Sequence, residues 1–234
     1  MKLGFWLGLG VLLVGCVAAP ATLPPPATPQ ALTVYHPPAL RWMAPRMAQC
    51  AEAVSGLALY RMEVPDFRDV QAGELMLWWG DPPEGTFIYR MGDDALQVIV
   101  HPERGDVSLA GDALGAVFSG QQANWPDGAP IQVWVYAADD WLWQVFASAL
   151  QIPAPASSAF LAPDPQAMLE AVAADPDAIG FLPANWSDAT RAVQALPLTD
   201  KLAGFLRQPV TAVLPDEPVG AIKSWLLCVQ SSQP

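Results

Sequence analysis

The sequence predicts an α/β fold with mixed sheets, on three observations. Short runs rich in Val, Ile, Leu, Tyr and Trp alternate with stretches whose apolar residues recur at helical spacing. Gly, Pro and Asp punctuate the boundaries between the two. The chain is 53 % apolar over 234 residues, enough for one domain or two small lobes with real cores.

Residues 32–35 read as a first strand. Leu40, Met43, Met47, Cys50 and Val54 then share one helical stripe; Pro45 fits that helix only if it begins near Ala44, and Gly56 ends it. A strand follows at 57–64, then a short helix opened by Asp66 and closed by Gly73, then a strong strand at 75–79. Residues 86–89 and 95–100 read as two further strands. Ser108 can cap a helix carrying Leu109, Leu114, Val117 and Phe118, with Gly120 as its stop. Alternation over 131–136 gives another strand, after which Asp139 or Asp140 caps a helix with Leu142, Val145, Phe146 and Ala149 inward. Asp164-Pro165 has the cap-then-proline pattern of a helix start, with Met168, Leu169 and Val172 on one face. Strands at 178–182 and 210–214 follow, and a last helix from Pro218 turns Ile222, Trp225, Leu226 and Val229 inward. No internal repeat is visible.

Ahead of this region lies an address. Lys2 supplies a positive start and residues 3–14 an apolar run shorter than the ~20 residues that span a bilayer. The run closes with Leu13-Val14-Gly15-Cys16, which resembles the lipobox of bacterial lipoproteins. That resemblance makes residues 1–15 a signal peptide and Cys16 the lipidated residue, placing the protein outside the cytoplasm and on the bacterial cell membrane through its lipid alone. Residues 16–31, with Pro20, Pro24, Pro25, Pro26 and Pro29, then form an extended tether rising ~3 Å per residue.

The formal charge is −12, and one unit more negative without Lys2. Such a surface repels phosphate backbones, which excludes nucleic acid as a partner. An enzyme is disfavoured: there are two histidines, His36 and His101, and no Gly-x-Ser-x-Gly elbow, Cys-x-x-Cys pair, His-x-x-x-His spacing or glycine-rich phosphate loop. His101 reads as a turn residue. Asp93-Asp94 and Asp175-x-Asp177 read as solvated turns, without a twelve-residue calcium loop around them. No catalytic residue, metal ligand or cofactor is assigned.

Two segments carry a resemblance to a family. Residues 109–125, LAGDALGAVFSGQQANW, resemble the helix-glycine-tryptophan segment of phosphate-binding-protein-like periplasmic receptors, and the apolar strand at 131–135 follows in place. Residues 172–183, VAADPDAIGFLP, are similar to the family's second recurrent segment: a helix end, a proline turn, and Ala-Ile-Gly plus an aromatic on a buried strand. The resemblance implies a two-lobed type 2 periplasmic binding protein-like fold with mixed sheets and hinge strands, lobe one being residues 32–99 plus 184–234 and lobe two 100–183. It also implies a ligand gripped between closing lobes, a possible ABC permease as partner, and a monomer.

Anion-binding members grip with backbone N–H groups at helix N-termini, and this chain departs from that pattern at all three expected loops. The first is Tyr35-His36-Pro37-Pro38-Ala39, where two prolines remove two donors. The second is Trp78-Trp79-Gly80-Asp81-Pro82-Pro83. The third, usually Ser-Gly-Thr, is Ala138-Asp139-Asp140-Trp141, with two carboxylates where a phosphate would sit. Phosphate specificity therefore does not carry over. The candidate ligand-binding residues become Tyr35, His36, Trp79, Asp81, Asp139, Asp140 and Trp141, aromatics and acids suited to a cationic or polar organic ligand. The plainer reading gives Asp139 or Asp140 a capping role, Trp79 a core role and His36 a satisfied loop role.

In the resembling fold the tail returns to pack on lobe one, which would bring Cys228 of the last helix towards Cys50 in an oxidising compartment; a disulfide or two small buried hydrophobes are the alternatives. Two functions stay open: a solute receptor of an ABC importer, or a non-transport envelope module that kept the fold and lost the pocket.

Overall fold

The computed structural model describes residues 28–82, 87–109, 111–187 and 190–231. The expected signal peptide, Cys16 and nearly all of the tether lie outside the described residues, as does Thr86.

The chain opens with β1 (Gln30–His36), a 3₁₀ turn at Pro38–Met43, α1 (Ala44–Ala53), β2 (Leu57–Glu63), β3 (Glu74–Trp79) and the long β4 (Phe87–Val100). A second run follows: α2 (Gly111–Phe118), β5 (Gln132–Val135), α3 (Trp141–Leu150), β6 (Phe160–Leu161), α4 (Pro165–Ala174) and β7 (Ala178–Pro183). The return consists of α5 (Ala184–Ser187), β8 (Gln194–Ala195), α6 (Asp200–Leu206), β9 (Arg207–Leu214) and α7 (Gly220–Gln230).

Two half-sheets share one design. β1 lies between β2 and β3, parallel to both, and β9 runs antiparallel beside β3. β5 lies between β6 and β7, parallel to both, and the end of β4 runs antiparallel beside β7. Each lobe is thus three parallel strands plus one antiparallel strand, a repeat of form that the amino-acid sequence does not display. β4 joins the lobes: Phe87 to Ala95 pair with β9, and Leu96 to Val100 pair with β7. β8 also pairs with β4 at Ile99 and Val100, and α6 packs on α3, so the return segment keeps to the second lobe until β9. On these pairings we propose lobes of residues 28–95 with 207–231, and 96–206, which differs from the sequence reading chiefly at 184–206.

The two segments that carried the family resemblance meet in the second lobe's core. Phe118 lies edge-on to Phe181 at 5.8 Å and to Phe146 at 4.7 Å, and Phe181 stacks on Phe146 at 3.9 Å. The Trp125 N–H donates to the Asp177 carbonyl at 3.1 Å, and the Arg104 guanidinium covers its ring at 5.4 Å. Gly180 is required on β7 because α4 packs against it: an added Cβ would sit 2.4 Å from the Met168 sulfur.

Several elements differ from expectation. The residues after Asp66 form coil, not helix. Val64, Phe67 and Val70 instead pack as an open strap on Tyr35, Met76, Trp78 and Val213, covering the outer face of the first half-sheet. Tertiary packing overrides weak local preference in so short a segment. The two strands expected at 86–89 and 95–100 are one, because pairing with β9 continues through a bulge between Arg90 and Gly92. Asp93-Asp94 is consequently no solvated turn: Asp94 is only 4 % exposed. Ala95 N–H donates to Asp94 Oδ1 at 2.8 Å, and amides of Ala184 and Asn185 favour its charged form, but burial outweighs them and raises its pKa. The last helix begins at Gly220 with Val219 as its N-cap residue, two residues past Pro218. Helices α5 and α6, of four and seven residues, and strands β6 and β8, of two residues each, went unread.

Helices α1 and α7 are joined by a bond between Cys50 and Cys228, with sulfurs 2.05 Å and Cα atoms 5.8 Å apart. Trp225 of α7 is fully buried beside it and donates its N–H to the Met47 carbonyl at 3.0 Å.

Candidate ligand cleft between the lobes

The ends of β1, β3 and β5 converge where the lobes meet, the position at which α/β folds hold ligands. Asp140 settles the capping choice at α3: its Oδ1 accepts from Leu142 N–H at 2.7 Å. The carboxyl is half-buried, and burial first, then the neighbouring charges of Asp139 and Asp66, raise its pKa despite the amide bonds. Asp139 is exposed beside it. Trp141, the first residue of α3, lays its indole against Gly80 at the end of β3. A Cβ there would meet Trp141 Nε1 at 2.7 Å, and Gly80 has φ +110°. Trp141 also faces Trp78, with centroids 6.2 Å apart and planes at 47°.

Between the lobes lies a cavity of about 70 Å³ lined by Pro37, Pro38, Ala39, Trp79, Asp140, Leu142 and the edges of Trp78 and Trp141, among others. Trp79 is 1 % exposed, and its indole N–H has no hydrogen-bond partner among the described residues. Outside it opens a depression of about 360 Å³ lined by Pro65, Asp66, Trp78, Ala137, Asp139, Asp140 and Trp141. On the far side of Trp141, Asp81 lines a separate groove with Gln144 and Gln208.

Tyr35 and His36 stand apart from this cavity. Tyr35 faces the strap on the outer side of the sheet, where its hydroxyl donates to Glu74 at 3.0 Å and the Arg68 guanidinium covers its ring at 3.9 Å. His36 is 5 % exposed and donates from Nδ1 to the Pro37 carbonyl at 3.1 Å; burial lowers its pKa, which keeps it neutral at pH 7. The structure thus gathers Trp79, Asp139, Asp140 and Trp141, leaves Asp81 beside them, and separates Tyr35 and His36.

Sequence reasoning missed four participants. Arg41 crosses between the lobes: it forms a two-pronged pair with Glu63, at 2.7 and 2.6 Å, and reaches Asp164 of the α4 cap at 3.1 Å. Trp186 donates to the Ala39 carbonyl at 2.9 Å, and the Arg41 guanidinium lies 5.9 Å from its ring. Trp78, near the end of β3, and Asp66, in the strap, are brought together by how the strap lies on the sheet. No local pattern signals a pair 123 residues apart.

Donors for an anion are scarce at all three loops. Pro37 and Pro38 have none, the Gly80 N–H donates to the Pro209 carbonyl at 2.8 Å, and the Leu142 N–H is taken by Asp140. Among the described residues no group of acids, histidines and cysteines is arranged to hold a metal ion, and no helix is long and apolar enough to cross a membrane.

No protein-family model and no curated protein matches this sequence. Solved structures do. One, named a phosphate ABC transporter substrate-binding protein with bound phosphate from Clostridium perfringens, superposes with a TM-score of 0.70 at 16 % identity, covering 85 % of this chain and 92 % of that one. An ABC-type phosphate transport receptor from Vibrio cholerae gives 0.59 at 16 % identity, over 86 % and 94 %. The regulatory domain of HypT from Salmonella typhimurium gives 0.62 at 11 % identity, over 88 % and 98 %. The chain therefore has the two-lobed type 2 periplasmic binding protein-like fold, which serves both transport receptors and regulatory domains.

Proposed function

We propose that this protein is a lipid-anchored, extracytoplasmic solute-binding protein whose cleft takes a small ligand other than phosphate and presents it to an ABC permease. The observation that carries the reading is the composition of the strand ends at the cleft: aromatic rings and carboxylates converge there, while Pro37 and Pro38 offer no amide and those of Gly80 and Leu142 are engaged. The architecture of two lobes joined by β4 and β9 supports closure around a ligand. The protein acts as a monomer held by Cys16, and binding rather than catalysis is its task.

A second reading, a non-transport envelope module, draws support from the Arg41–Asp164 bridge and the small cavity, since both close the cleft with the protein's own side chains. A thermal-shift screen over anions, cations, amino acids and sugars, with scattering to read compaction, separates the two. A ligand that raises the melting temperature and shrinks the particle supports the receptor; no ligand at millimolar concentration supports the module. Anchoring has its own test: Cys16→Ser should abolish labelling by a fatty-acid analogue, and a labelled mutant refutes it.

A further inference from the structure

The inner cavity and the outer depression share Pro65, Trp78, Asp140 and Trp141, so they adjoin. Their chemistry differs. In the outer part, two indoles contact each other with centroids 6.2 Å apart and planes at 47°, and three carboxylates, Asp66, Asp139 and Asp140, line it with them. Among the described residues no Lys, Arg or His lines either part. Ring faces attract a soft organic cation, and the carboxylates add charge without converging on a metal site. Trp79, which lines the inner cavity together with Asp140, carries a buried N–H that has no partner among the described residues. Buried donors of this sort are satisfied in nearly all proteins, so a ligand acceptor is its natural complement.

We propose that the cleft binds a small organic cation carrying one oxygen acceptor, its ammonium head against Trp78 and Trp141 beside the three aspartates and its oxygen on the Trp79 N–H. This rests on the solute-binding reading and specifies its ligand class. Inorganic phosphate fails in both parts, being repelled in the outer one and matched by a single donor within. A metal ion fails for want of ligands, and an uncharged apolar solute leaves the Trp79 donor unanswered.

The test is calorimetric titration of the full chain with choline, choline methyl ether and tetramethylammonium, which share the head and differ in the oxygen. Choline or its methyl ether should bind at least about tenfold more tightly than tetramethylammonium, the factor one hydrogen bond of ~1.4 kcal/mol supplies. Trp79→Phe keeps a ring and removes the N–H, so it should bring that ratio close to one. Asp139→Lys, at an exposed site, should weaken all three at least about tenfold. If Trp79→Phe fails to fold, the three-ligand comparison on the parent chain still decides. Equal affinity for tetramethylammonium overturns the role of Trp79, and undiminished binding by Asp139→Lys overturns the role of the charged outer part. If these cations fail while another solute from the screen stabilises the protein, the ligand class is wrong and the receptor reading stands; if nothing binds, both fall.

Discussion

The bond between Cys50 and Cys228 ties the first helix to the last across a sequence separation of 178 residues. On the chain-entropy relation, a loop of that size withholds about 5 kcal/mol of entropy from the unfolded ensemble. For a domain of this size each kcal/mol moves the melting temperature by about 2–4 °C, so loss of the bond should lower it by about 10–20 °C. The suitable perturbation is Cys50→Ala with Cys228→Ala in a Cys16→Ser background, because Cys50 is fully buried and a serine there would bury a hydroxyl. Differential scanning calorimetry of this variant should match the parent scanned in reductant. A parent whose melting temperature is indifferent to reductant, or a variant within about 3 °C of it, refutes the reasoning. Two titratable thiols in the unreduced parent would refute the bond itself.

Three further outcomes are expected. Inorganic phosphate should not bind at micromolar concentration at pH 7, with or without calcium, since each missing charge-assisted hydrogen bond removes ~1.5–3 kcal/mol; calorimetric titration decides, and micromolar binding without metal shows the loops are misassigned. Gly80→Ala combines a positive φ with a Cβ driven into the Trp141 ring, so it should cost about 1–3 kcal/mol in urea unfolding and change Trp fluorescence; an unaltered midpoint argues against the contact. The raised pKa of buried Asp94 means that its contribution to stability is present below the ordinary carboxylate range and lost as pH rises through the raised value. Asp94→Asn should therefore match the parent near pH 4 and melt higher at pH 7, and a pH-independent difference contradicts that sign.

The regular elements were legible where one residue did one job. Asp164 followed by Pro165 marks the start of α4 in both sequence and structure, with Asp164 Oδ1 accepting from Ala167 N–H at 2.8 Å. The stripe Ile222, Trp225, Leu226 and Val229 is the buried face of α7. The strap was misread because Asp66 and Gly73 carry the marks of a helix start and stop, and only the sheet face beneath keeps Phe67 and Val70 in an open cover. β4 was split because Arg90 to Asp94 is locally polar, while the partner that keeps it a strand, β9, lies more than a hundred residues on. At the cleft, Asp139, Asp140, Trp141 and Trp79 followed from their positions at strand and helix ends. Tyr35 and His36 did not: Tyr35 faces the outer side of its sheet, and His36 is buried without lining the cavity. Arg41, Asp164 and Asp66 were invisible because their roles arise from where the second lobe comes to rest.

The borrowed strand in each lobe has a consequence for synthesis. β3 ends at Trp79, yet the neighbour that covers its open edge, β9, begins only at Arg207. A growing chain must therefore carry an unpaired apolar edge through most of its production, a template for joining other chains. Polypeptides that stop short of residue 207 should accumulate as aggregates or be degraded. Because Cys228 arrives later still, the covalent clasp can close only on a chain whose every strand has been made.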